Sequence, residues 1–399
     1  MIFLILKFLQ DTLGVHVPVI FFNTSTRAIL ACITAIVMTF LFGAKFIKKL
    51  YELKIGQPIR EEAGFLLGQL HKNKKNTPTM GGILLIFAVS VSLLLWMDLS
   101  SAVTWILFFT SVILGLLGGY DDYLKLRYKS AKGLSAKKKL FVQLSWALLI
   151  IAYLQIPQLS QVIESYIGIK APFAKEFSEG KVELLSLHDY TSRLYMPFLK
   201  EPFVIFSGIG LLLLWAFLSF VIVGASNAVN LTDGLDGLAT GLMIFVAASL
   251  GIVAFLSNNV DTAAYFNILY IEGSGEVSIF LAALVGACLG FLWYNCSPAQ
   301  VFMGDIGSLS LGGMIGVSSI LLGREFFLGL AGILFVAEAL SVIIQVVSYR
   351  YRNKKRVFLC APLHHHFEYL GWAETKVVCR FWIIGFLFSI IALSSIKFQ

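Results

Sequence analysis

Charge is scarce in this sequence. Asp, Glu, Lys and Arg together supply 14% of its 399 residues, where soluble domains carry about 25%. With a hydrophobic content of 58% and a mean hydropathy of +0.84, that shortage excludes an ordinary soluble protein and points to a polytopic membrane protein. Cysteine is also sparse. Cys32, Cys288, Cys296, Cys360 and Cys379 lie scattered in or beside apolar runs with no paired metal spacing, which predicts small buried thiols rather than disulfides or zinc ligands. No Gly-x4-Gly-Lys-Ser/Thr loop is present, so a P-loop ATPase is not expected. The apolar start, Met1–Leu9, lacks a preceding basic region and a small-residue cleavage site, and no cleaved leader is expected. Without an internal repeat, nothing recommends a repeat-built transporter. The net charge of +8 belongs, in a membrane protein, to its loops, and no nucleic-acid partner is expected.

What is present is a series of apolar runs. A spanning helix needs roughly 20 mainly apolar residues, and ten cores meet that measure: Ala28–Ile47, Gly81–Met97, Val103–Tyr120, Leu140–Leu154, Val204–Val223, Leu238–Leu256, Ser278–Tyr294, Leu309–Leu322, Phe327–Val347 and Phe381–Ile396. The expectation is an all-α membrane-embedded unit, a single domain over residues 1–399. Lys and Arg concentrate in three connections, with eight in Lys45–Lys75, seven in Lys125–Lys139 and seven in Arg350–Arg380, or twenty-two of thirty-one. With ten spans all three fall on one side, which the positive-inside rule makes cytoplasmic. Both termini then lie outside. The outward connections, Gln155–Phe203 and Ser257–Val277, read as packing or capping segments, and part of the first as a short interfacial helix.

The cytoplasmic side carries the chemistry. Asn227–Ala239 reads Asn-Ala-Val-Asn-Leu-Thr-Asp-Gly-Leu-Asp-Gly-Leu-Ala between two strongly apolar runs, where polar groups are costly and tend to be functional. Asn227, Asn230, Asp233 and Asp236 recur every third residue, so neighbours share a helix face while the two ends do not. The stretch suits half of a cation site, or a turn with capping Asn and Asp. Asp121 and Asp122 are followed by Lys125, Lys129, Lys132 and Lys139. Adjacent carboxylates repel unless a divalent cation or ammonium groups compensate, although a basic surface on anionic lipid would look similar. Asp305 lies between Gly304 and Gly307 in Phe302-Met-Gly-Asp-Ile-Gly-Ser308, a setting that suits Mg2+, which takes few protein carboxylates beside phosphate oxygens and water. Asn295 either reaches the same site or caps its helix. Thr77-Pro-Thr-Met-Gly-Gly82 offers hydroxyls, Thr79 among them, and backbone N–H groups to an anion, and is equally an ordinary helix start. Ala361-Pro-Leu-His-His-His-Phe-Glu368 offers phosphate contacts or carboxylate orientation through His364, His365 and His366. Five aspartates, a lysine cluster and a histidine run on one membrane face form an inventory for Mg2+-assisted phosphoryl transfer between a lipid-soluble and a soluble partner.

These stretches, with Gly-Phe-Leu-Trp-Tyr-Asn (290–295), closely resemble the phospho-N-acetylmuramoyl-pentapeptide transferase (MraY) family of bacterial peptidoglycan synthesis, part of the polyprenyl-phosphate N-acetylhexosamine-1-phosphate transferase superfamily. The resemblance runs from about Gln57 to the C-terminus. It implies a ten-helix enzyme of the bacterial inner membrane that uses Mg2+, with UDP-N-acetylmuramoyl-pentapeptide and undecaprenyl phosphate as partners and lipid I and UMP as products. It also implies a homodimer. Carried over by residue, Asp305 is the metal ligand, and Asp121 and Asp122 are an essential pair in which Asp121 deprotonates the lipid phosphate. Lys125 and Lys139 serve the phosphates, and Thr79, Asn230 and Asn295 join the substrate site. Asn227, Asp233 and Asp236 surround the uridine diphosphate, with Phe302 near uracil. His364 and His366 bind the muramoyl donor and His365 joins the catalytic set. Three features depart from the family pattern: the long apolar stretch Glu61–His71, Asn76 where glycine is common, and Ile306 where Thr is frequent. The alternatives are a sister enzyme transferring an N-acetylhexosamine phosphate, against which the triple histidine argues, and a transporter. Against the second, the acids lie mostly in the inward loops; Glu338 and Gln345 within the ninth span are the exception, and helix contacts account for them.

Overall fold

The structure, a computed structural model, describes residues 1–53, 77–128, 133–178 and 181–397. The Glu61–His71 stretch, Asn76, Lys129 and Lys132 lie outside the described residues. The helices are α1 (Ile2–Leu13), α2 (Thr24–Glu52), α3 (Gly82–Trp96), α4 (Ala102–Arg127), α5 (Ala136–Gln155), α6 (Pro157–Ile167), α7 (Leu187–Thr191), α8 (Gly210–Thr232), α9 (Leu238–Ser257), α10 (Val260–Tyr265), α11 (Ser274–Asn295), α12 (Gly304–Leu321), α13 (Glu325–Ala331), α14 (Ile333–Tyr351), α15 (Leu363–Tyr369) and α16 (Glu374–Lys397).

Nine of the ten expected cores fall mainly on helix, and the one expected at Val204–Val223 becomes helical only from Gly210; among the described residues eight helices are long and apolar enough to cross a membrane alone: α2, α4, α8, α9, α11, α12, α14 and α16. Two differences have local causes. α5 and α6 meet at an 85° bend, where Pro157 opens α6 and disfavours a helical residue before it. The core expected at Phe327–Val347 divides into α13 and α14 around Gly332, the second of two weak helix formers in the run, after Gly329.

Small residues set how closely the helices pack, as in membrane bundles generally. Ala31, Ala35, Thr39, Gly43 and Ile47 put a buried stripe at every fourth position of α2, and α11 lies against it so tightly that a Cβ on Gly286 would come 2.3 Å from the Cys32 carbonyl. The centre of the bundle is α12, buried without interruption from Ile306 to Leu321. Gly312 meets the Ala225 carbonyl of α8, and on its other side α12 meets Gly118 of α4. The N-terminal end of this central helix carries Asp305.

The all-α expectation misses two small sheets. β1 (Ala174–Ser178), β2 (Lys181–Leu185) and β5 (Tyr270–Ile271) form an antiparallel sheet of order β2-β1-β5, and β3 (Arg193–Leu194) pairs with β4 (Val204–Ile205). β1, β2, β3 and β5 lie in the two outward connections and β4 at the start of the run expected as a span at Val204–Val223, at the end of the bundle opposite Asp305, where Arg193 pairs with Glu176 and Tyr195 donates to Glu176 at 2.9 Å. A short helix, α6, stands in the first of these connections. All five cysteines are free, and Cys296 and Cys379 are exposed rather than buried.

Candidate active site

The site is built at the start of α12 by backbone-to-backbone contacts. Phe302 N–H donates to the Pro78 carbonyl, and Gly81 and Gly82 donate to the Phe302 and Met303 carbonyls, each at 2.8 Å. The Thr77–Gly82 segment therefore clamps Phe302–Gly304 rather than standing as an independent anion site. Gly304 has φ +75, and a Cβ there would lie 2.6 Å from Asp122 Oδ2 and 2.9 Å from Thr79 Oγ1. Only glycine allows both that conformation and that approach. Thr79 is buried behind it.

Asp121, Asp122 and Asp305 converge so that one oxygen of each lies within 4.8 Å of the others. Two lysines thread the cluster. Lys125 Nζ is 2.7 Å from Asp121 Oδ2 and 3.0 Å from Asp305 Oδ2, and Lys139 Nζ is 2.8 Å from both. Asp121 is fully buried and also accepts the Leu134 N–H. Asp122 accepts the Ile306 N–H at 3.2 Å, so position 306 contributes through its backbone. Asn230 donates to Asp305 Oδ1 at 3.0 Å and to Ser308 Oγ at 2.8 Å. Three carboxylates against two ammonium groups leave a formal charge of −1 on a face of hard oxygen donors, which fits Mg2+.

The Asn-Asp series divides because α8 ends inside it: Asn227 and Asn230 lie on the helix, and Asp233 and Asp236 in the turn beyond it. Asn230 and Asp233 face the cluster. Burial, with Asp305 and Asp122 nearby, pushes the Asp233 carboxyl up to about 7, while a hydrogen bond from the Gly304 backbone opposes the shift. Asn227 lies away from the cluster, donating to Gln143 Oε1 at 3.0 Å. Asp236 and Asn295 support a loop. Asp236 accepts the Ala299 N–H at 3.1 Å, and Asn295 donates to the Val301 carbonyl at 2.9 Å while accepting the Thr240 hydroxyl. Together they hold residues 296–302 and so place Phe302, which is half-buried.

The histidines also separate. His364 is buried against Glu338, with Nδ1 3.2 Å from Oε2. His365 Nδ1 lies 2.7 Å from Glu368 Oε2. His366 Nδ1 accepts the Leu359 N–H at 3.1 Å, its ring against Phe358 and Phe367. Gln345 holds the loop before them, accepting the Val357 and Phe358 N–H groups at 3.0 Å and donating to the Phe358 carbonyl. Glu338 and Gln345 thus do more than pack α14, and they share a face because seven residues make about two turns.

A model of glycosyl transferase family 4 matches residues 104–323, and a phospho-N-acetylmuramoyl-pentapeptide-transferase signature matches residues 74–86. A phospho-N-acetylmuramoyl-pentapeptide-transferase from Protochlamydia amoebophila is 57% identical across 100% of both chains. One from Psychrobacter arcticus is 45% identical over 94% of this chain and 95% of its own. The chain belongs to the phospho-N-acetylmuramoyl-pentapeptide transferase family. As a member of that family it is a multi-pass membrane protein, and the family signature covers the clamp around Thr79. Sequence reasoning missed Glu338, Gln143 and Ser308 as parts of the transferase site's frame. The signal available was their polarity within otherwise apolar helices.

Proposed function

We propose that this protein transfers phospho-N-acetylmuramoyl-pentapeptide from its UDP-linked donor to undecaprenyl phosphate, forming lipid I and releasing UMP in the bacterial inner membrane. The observation that carries this is the cluster of Asp121, Asp122, Asp305, Lys125 and Lys139 at the end of a membrane bundle, in a chain whose relatives along its full length bear that activity's name. The reading includes ten spans in a single domain, both termini outside and the cluster on the cytoplasmic side.

A lipid phosphate oxygen attacks the phosphorus that carries the sugar. A new phosphoanhydride bond forms, the bond to the bridging oxygen breaks, and UMP leaves. Asp121 has both lysines and a backbone N–H on its carboxylate, so we assign it to holding the ammonium groups. The proton of the lipid phosphate passes to Asp122, which replaces Asp121 in that role. Lys125 and Lys139 hold the transferring and leaving phosphates. Bound to Asp305 with the neighbouring carboxylates, Mg2+ would supply charge neutralisation of the diphosphate. Phe302 meets the uracil, and His365 and His366 meet the donor's muramoyl side. Direct attack gains from proximity. Acid quenching of a single turnover should find radioactive phosphate only in donor and lipid, and label on an aspartate would replace direct attack with a covalent route.

Two further outcomes follow. Asn295→Ala removes both supports of the Phe302 loop that pass through its amide, so the KM for the UDP donor should rise roughly tenfold with kcat changed less. An unaltered KM would remove Phe302 from the donor site. Because Asp233 titrates near 7, protons compete with the cation below that value. The Mg2+ concentration giving half-maximal rate should therefore fall as pH rises from about 6 to about 8, and that slope should flatten in Asp233→Asn.

A further inference from the structure

Glu338 is fully buried in α14, where an uncompensated carboxylate is costly. Both of its oxygens address one residue. Oε1 accepts the His364 backbone N–H at 3.1 Å, and Oε2 lies 3.2 Å from His364 Nδ1. The backbone bond fixes where the residue sits, and Nδ1 faces Oε2 as an ion-pair contact rather than a hydrogen bond, with Nε2 directed away. His364 is itself 1% exposed, which places it among protein groups and out of reach of a soluble donor.

Its far nitrogen abuts Gly234. A Cβ on Gly234 would fall 2.2 Å from His364 Nε2 and 2.9 Å from Cε1. Gly234 closes a three-residue turn at the end of α8: its N–H donates to the Thr232 carbonyl at 2.8 Å, and Asp233 between them has φ −76 and ψ 55. Those angles describe an inverse γ-turn. Asp233 in turn lies beside the Gly304 backbone at the start of α12, with Asp305 and Asp122 near its carboxylate. A continuous line therefore runs from Glu338 through His364 and the Asp233–Gly234 turn to the start of α12.

We infer that the Glu338–His364 pair is a strut that sets the Asp233–Gly234 turn against the aspartate cluster, and that both are positioning residues for the transfer rather than ligands of the sugar nucleotide. The consequence for catalysis rests on the function proposed above; the strut itself does not. The turn is short, ends a helix and carries an exposed glycine, so without a brace it has several accessible conformations. His364 supplies the brace, and Glu338 keeps the imidazole from rotating.

Glu338→Gln, His364→Asn and the double variant, each as full chain in detergent, separate the two layers. Amide hydrogen exchange of the peptide covering Thr232–Asp236 reads the strut without any substrate. It should accelerate roughly tenfold or more in His364→Asn and less in Glu338→Gln, and the double variant should be no faster than His364→Asn. In the transfer assay with UDP-N-acetylmuramoyl-pentapeptide, Glu338→Gln should lower kcat by roughly 10- to 100-fold with the donor KM within about threefold. Exchange unchanged in both single variants, or additive in the double, overturns the strut. A raised donor KM with kcat kept makes His364 a direct ligand and overturns it equally. A wild-type protein that transfers nothing removes the proposed function while leaving the exchange result to decide the strut.

Discussion

Asp305→Asn is expected to lower transfer on the order of 10³-fold or more while the purified protein melts within a few degrees of the wild type. The substitution keeps the side-chain shape and Asn230 retains a hydrogen-bonding partner, so the fold has little reason to change. What is lost is the charge opposite Lys125 and Lys139, together with an oxygen donor for the cation. Mg2+-dependent thermal stabilisation should vanish with it. If Asp305→Asn kept more than about a tenth of the activity, the metal assignment would be wrong and the cluster would serve only to hold its lysines.

Gly118→Val should have the largest effect on the fold. A Cβ at this position would come 2.1 Å from the Asp305 carbonyl oxygen and 2.4 Å from its carbon. Both are backbone atoms, and no side chain can move aside. α4 must then separate from α12, which pulls the Asp121–Asp122 pair away from Asp305. Overpacking of this kind costs at least about 1–3 kcal/mol, and with two elements of the site displaced the variant should fail to yield monodisperse protein. Gly329→Ala is the control. Nothing lies within 4 Å of that position, so in α13 it should be neutral or gain up to about 1 kcal/mol in helix propensity. Equal behaviour of the two variants in a thermal unfolding series would contradict close packing at the α4–α12 contact.

The sequence made the apolar helices, and the acidic residues that gather at the start of α12, legible for one reason. A hydrocarbon layer imposes a length on its helices and a high cost on charge, so Asp121, Asp122, Asp233 and Asp305 stand out against what surrounds them. Their mutual geometry was not legible, because it depends on glycines whose partners are distant. Gly118 meets Asp305 and Gly304 meets Asp122, pairs that no local pattern links. The same holds for His364, which as one of three histidines carries nothing to single it out. Its role is defined by Glu338, 26 residues earlier in the chain. That Asp236 and Asn295 hold the loop before Phe302 was not legible either, because buried loop supports and ligands use the same polar residue types. The small sheets were missed for a different reason. Lys181-Val-Glu-Leu-Leu185 has a usable alternation only in its first residues, too short to outweigh the surrounding mixed charge.

The most direct test of the central claim is release of UMP by the purified protein with undecaprenyl phosphate, offered UDP-N-acetylmuramoyl-pentapeptide or UDP-N-acetylglucosamine, with and without Mg2+. Release from the muramoyl donor alone, and only with Mg2+, is the predicted result. Release from the N-acetylglucosamine donor, or from neither, would contradict it.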